Sequence, residues 1–125
     1  MTGTCYITSA GIHLPGDPVG NDEMEDVLGR IAGKDSRARE RVLKQNGIQS
    51  RHYAIDRSGR TTISNAGMAA EAVKSAVSRS SVGLEDLDVL VAASSQGDIP
   101  LPGFASMVHG ELDMPPCEIA SLHGI

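Results

Sequence analysis

The chain has 125 residues, 40% of them apolar and 22% charged, which is enough for one globular domain but near the lower end for an enzyme core. A net charge of −5 argues against nucleic-acid binding, which normally shows a basic face. No apolar run approaches membrane-spanning length, and the start lacks a charged-then-apolar signal segment, so a cytoplasmic chain without a membrane span is expected.

Tyr6, Tyr53 and Phe104 are the only aromatic residues, so the core must be aliphatic. The two cysteines, Cys5 and Cys117, sit far apart in apolar runs and read as buried free thiols. No C-x-x-C pair occurs, and neither His13 nor His52 has ligand companions at workable spacing, so no metal site is expected.

In chain order, "CYITSAGIHLP" (5–15) is β-branched and apolar, and it reads as a strand ending at Pro15-Gly16. Asn21 is placed to cap a short helix over 22–28, with acidic residues in its first turn, where the helix dipole favours them. Asp35 or Ser36 then caps a helix over 37–45. Asn46-Gly47 terminates it, because glycine accepts the left-handed conformation of a helix end. "IQSRHYAID" (48–56) reads as a strand or extended arm, followed by a turn at Ser58-Gly59.

The strongest helix spans 64–80, with Ala69, Ala72, Val73, Ala76 and Val77 forming an apolar stripe of small residues. "LDVLVAASS" (87–95) is a continuous apolar run, the pattern of a strand covered on both faces. A loop with Gly97, Pro100, Pro102 and Gly103 leads to a helix over 104–112, and after Pro115-Pro116 "CEIASL" is another buried strand. The order β-α-α-β-α-β-α-β implies a layered α/β fold with largely parallel neighbours. The last strand needs a covering layer that so short a chain supplies poorly, so these residues look like half of a larger core.

Four blocks carry a resemblance: "NGIQSRHYAID", "TTISNAGMAAEAVKSAV", "LEDLDVLVAASSQGDIPLPGFASMVHGEL" and "CEIASLHGI". In order and spacing they resemble the first half of a ketoacyl-acyl-carrier-protein synthase III. The resemblance implies the thiolase fold, with 1–125 as the N-terminal half of a two-half core and the second half absent from this sequence. The opening, with "NDEMED" and "GKDSRAR", is similar to the branch that joins acyl chains on the way to dialkylresorcinol or cyclohexanedione rings.

In that family the last strand presents a catalytic cysteine at a helix N-terminus, a setting that stabilises a thiolate. Carried along without a gap, this cysteine falls directly after Ile125. The family's catalytic His and Asn belong to the second half, so none of the catalytic side chains is expected within 1–125. The resemblance implies an acyltransferase that condenses a cysteine-bound acyl group with a carrier-bound β-keto or malonyl thioester. It needs no cofactor beyond phosphopantetheine-linked or coenzyme A thioester substrates. An acyl carrier protein is the implied partner and a homodimer the implied assembly. The rival is a thiolase-fold chain that has lost the nucleophile and serves as a scaffold or acyl-binding subunit.

Leu101 matches a family position, often Phe, that reaches into the acyl pocket across the dimer interface. A leucine there leaves room for a longer chain. Arg41 and Gln45 stand where coenzyme-A-using members carry Trp and Arg, which puts the usual coenzyme A recognition in doubt. The segment 34–44 sets Lys34, Arg37, Arg39, Arg41 and Lys44 against only Asp35 and Glu40. Arg37 and Arg41 are read as contacts for phosphopantetheine or an acidic carrier, against the plainer reading of a solvated helix face. Ile125 completes the substrate-site set by preceding the nucleophile. His123 reads as a wall or packing residue, His109 as a hydrogen-bonded structural residue, and Ser94, Ser95 and Ser121 as core or loop hydroxyls.

Overall fold

The computed structural model describes residues 3–30, 32–34, 36 and 38–124. The chain divides into two compact units, one drawn from Met1–His13 and Ser64–Ile125, the other Leu14–Ile63.

The unit Leu14–Ile63 holds β1 (Val19–Gly20), α1 (Met24–Leu28), α2 (Arg39–Asn46) and β2 (Ser50–Arg51). β1 and β2 pair antiparallel, Val19 with Arg51 and Gly20 with Ser50. The helix α2 ends where expected, since Gly47 adopts the left-handed conformation at φ 67°. Asn21 does not cap α1. Its side-chain amide donates to the Ile48 carbonyl at 2.8 Å, and Glu23 occupies the cap position without a side-chain capping bond.

The larger unit holds α3 (Asn65–Val77), a 3-10 turn (Leu84–Asp86), β3 (Val89–Ser94), α4 (Phe104–Leu112) and β4 (Glu118–His123). Ser64 caps α3 by accepting from the Gly67 amide at 2.9 Å, a bond worth about 1 kcal/mol. β3 and β4 run parallel with α4 as the crossover, in a register from Val89↔Glu118 to Ser94↔His123. The core sits beneath this pair. Ala66 and Ala70 of α3, Leu90 and Ala92 of β3, and Phe104, Ala105, Val108 and Leu112 of α4 close it together with Met114. The alanines let α3 approach closely, and Phe104, the one phenylalanine of the chain, fills the volume they leave.

From α1 onward the elements follow the order read from the sequence, and besides the Asn21 cap three further expectations are corrected. The first strand is Val19–Gly20, not 5–15. Among the described residues 5–15 carries no ladder; a strand exists only through its partner, and this stretch finds a helix instead. Gly11 lies so close to α3 that a Cβ there would stand 2.2 Å from the Ala72 carbonyl oxygen. Second, β3 is covered on one face only: Leu90 and Ala92 are buried while Val89 and Val91 are exposed, and β4 is exposed throughout. Helices cover one side of the pair, and no described element covers the other. Third, Cys5 is exposed rather than buried, because its stretch lacks a sheet to enter. Cys117 is half-buried against the core.

Candidate functional site

In open parallel α/β sheets, ligands bind beyond the carboxyl ends of the strands. Here those ends are level, because Ser94 and His123 form the last pair of the β3–β4 ladder. The loop 95–103 and the chain leaving β4 at Gly124 therefore depart from one edge. Leu101 lies on that loop, 81% exposed, joined to Pro102 by a cis peptide bond. Two residues of the substrate-site set, Arg37 and Ile125, lie outside the described residues. The fourth, Arg41, sits on α2 in the other unit, is exposed, and makes no ion pair among the described residues.

The sequence reading missed what holds the loop. The Asp98 carboxylate accepts from the Asn65 amide at 2.7 Å with one oxygen and from the Ala66 amide at 2.8 Å with the other. These are free donors of the first turn of α3, and an anion suits that end of the helix. The Asn65 side chain donates to the Gln96 carbonyl at 2.6 Å and to the Ser94 hydroxyl at 3.2 Å. At the far end of the loop, the Ser121 hydroxyl of β4 accepts from the Ala105 amide at 2.9 Å and so caps α4. Gly103 must lack a side chain there, since a Cβ would stand 2.8 Å from that hydroxyl oxygen. Ser94 and Ser121 thus act as structural hydroxyls, as expected of them. The only sequence sign of the Asp98 contact was an aspartate between a strand and a proline. Its partners lie 32 and 33 positions away, beyond any local pattern.

The histidines separate by role. His109 Nε2 lies 3.1 Å from the Pro115 carbonyl, a structural bond as expected. His52 Nδ1 lies 3.0 Å from the Gly16 carbonyl and so donates to it. His123 is exposed at the end of β4. Among the described residues no three His, Cys, Asp or Glu side chains gather as metal ligands, and no helix is long and apolar enough to cross a membrane.

In the smaller unit the basic segment is partly turned inward. Glu25 is buried, and its carboxylate accepts from Arg39 at 2.8 Å and from the Ser36 amide at 2.8 Å. Arg39 therefore holds α1 to α2, and the residues left for a partner on the described face of α2 are Arg41 and Lys44. In the turn after β2, the Ser58 hydroxyl first and the Arg60 amide next hold the Asp56 carboxyl below its ordinary range. On α3, Lys74 lowers Glu71 in the same way.

No family model matches the chain. Curated relatives do. A β-ketoacyl-[acyl-carrier-protein] synthase III of Roseobacter denitrificans is 36% identical over 114 residues, which is 91% of this chain and 32% of that protein. One from a Ruegeria species is 34% identical over the same shares. The chain thus spans about a third of the length of the curated relatives it matches. Among solved structures, the tetronic acid condensing enzyme AbyA1 superposes with a TM-score of 0.75 at 26% identity, covering 94% of this chain and 36% of that one. The C-terminal type III polyketide synthase domain of Steely1 from Dictyostelium superposes with a TM-score of 0.71 at 18% identity, over 96% of this chain and 39% of that one, a likeness of fold alone. By sequence the chain is similar to part of the β-ketoacyl-[acyl-carrier-protein] synthase III proteins, and by architecture it has part of a thiolase-like α/β fold.

Proposed function

We propose that these residues are the opening part of a condensing enzyme that works by acyl transfer and Claisen-type C–C bond formation. The remainder of the protein would cover the bare face of the β3–β4 pair. The observation that carries the proposal is the level carboxyl edge: β4 ends beside the Leu101 loop, and the position after Ile125 would stand at the mouth of whatever that loop lines. A cysteine thiolate at that position attacks the carbonyl carbon of an acyl thioester. A C–S bond to the enzyme forms, the donor's C–S bond breaks, and the donor leaves as a thiol. A carrier-bound malonyl thioester then loses carbon dioxide to give an enolate, or a β-keto thioester gives up its α-proton to a general base that the remainder of the fold would supply. The new carbanion attacks the bound acyl carbonyl, and the cysteine thiolate departs. Each tetrahedral oxyanion needs preorganised N–H donors, which the remainder of the fold would supply.

The likeness to the synthase III proteins supports a carrier-protein partner, and the likeness to a tetronic acid condensing enzyme supports a ring-forming outcome. In this reading Leu101 lines the acyl pocket, Arg37 and Arg41 face the phosphopantetheine or the acidic carrier, and two copies assemble. The test supplies full-length protein with an acyl thioester and a malonyl- or β-keto-loaded carrier. A product lengthened by the donor's acyl group is expected. Donor and carrier both recovered unchanged would favour the scaffold reading instead.

A further inference from the structure

The loop 95–103 is apolar at its crown, with Ile99 and Leu101 both exposed. Little packing holds it. Asp98 and Ile99 border an open groove of about 470 Å³, whose other walls include Ser64, Ala66, Met107 and Glu111. Its position must therefore come from hydrogen bonds, and these are concentrated at one place. Both carboxylate oxygens of Asp98 are taken by the first two amides of α3. The Asn65 side chain returns from the same turn to Ser94 and Gln96, where the loop leaves β3. The bonds from a carboxylate to N–H donors are the stronger kind, and two of them fix an orientation as well as a distance.

We propose that Asp98, supported by Asn65, is a positioning residue that holds the Leu101 loop at the carboxyl edge and so sets which acyl chain lengths are accepted. The chain-length half of this inference rests on the acyl-transfer reading above; the loop-holding half does not. Asp98 touches no substrate in this scheme. It acts through the loop, so losing it should change selection between chain lengths rather than the chemistry on any one of them.

The test uses full-length wild type, Asp98→Ala, Asp98→Asn and Asn65→Ala. Amide hydrogen exchange is read over 95–103 and at Asn65 and Ala66, with the amides of β3 and α4 as the fold control. Asp98→Ala is expected to speed loop exchange roughly tenfold or more while the control amides hold their rates. Asp98→Asn keeps one acceptor oxygen and should fall between, which also decides the matter if the alanine variant loosens the whole unit. The ratio of kcat/KM between long and short acyl donors is expected to shift by about fivefold or more in Asp98→Ala. Unchanged loop exchange in both Asp98 variants overturns the holding role. A uniform loss for all chain lengths overturns the selective one. A wild type that takes up no acyl group defeats the acyl-transfer reading and the chain-length half together, and the exchange data alone then decide whether Asp98 holds the loop.

Discussion

Arg39 and Arg41 lie two residues apart on one helix and do different work. Arg39 neutralises a buried glutamate, so Arg39→Ala should destabilise the protein by about 3–5 kcal/mol, because it strands Glu25 without its cation. Arg41→Ala should cost less than about 0.5 kcal/mol, because the side chain is exposed, and under the proposed function it should weaken carrier binding instead. Denaturant midpoints and carrier-binding isotherms on the two variants separate the roles. Under the proposed function, Leu101 is the residue on which acyl specificity should be read. Leu101→Phe is expected to disfavour long acyl donors by roughly tenfold relative to short ones, in competition assays with mixed donors. At Asp56 the sign of the pH effect is fixed by the lowered folded value. The turn contribution is complete above the ordinary carboxylate range and is lost as pH falls through the lower folded value. An NMR titration of the Asp56 carboxyl carbon should place its midpoint below that of free aspartate; a midpoint at or above it would contradict the Ser58 and Arg60 contacts.

Among the elements, the helices were the most legible. The helix over 104–112 has the bounds expected of it, and that over 64–80 lies within a few residues of its expected ends, because a stripe of small apolar residues is a local signal. Gly47 closed its helix for the same local reason. The strands were less legible, since pairing is a property of two segments. "CYITSAGIHLP" has strand composition, yet Gly11 brings it against α3 rather than into a ladder. The candidate edge was legible only in part. Leu101 and the end of β4 were named through a family likeness, whereas the Asp98–Asn65 contact joins residues too far apart for any spacing rule. The α4 crossover is the element on which the edge depends. Phe104→Ala removes its largest core side chain and should cost about 3–5 kcal/mol in unfolding free energy, which is enough to loosen the β3–β4 pair.

For the whole molecule, the parallel register puts Val89, Val91 and Ala93 on one face with Glu118, Ala120 and Leu122, a mostly apolar face whose residues are all exposed. So large an apolar face on a sheet calls for a covering layer. A polypeptide limited to these 125 residues should bind a hydrophobic dye and aggregate, and the full-length protein should do neither. The chain spans about a third of its curated relatives, and under the proposed function the remainder would supply that layer. Under the proposed function, the sheet edge, the loop at Asp98 and the bare face would together form the floor and one wall of an acyl site.

The most direct measurement is the intact mass of full-length protein after exposure to a series of acyl thioesters. A gain of one acyl group per chain is expected, located by peptide mapping to the residue that follows Ile125 and abolished when that residue is replaced by alanine. A protein whose mass never changes, or whose acyl group sits on Cys5 or Cys117, would contradict the assignment of the β3–β4 edge as the site of acyl transfer.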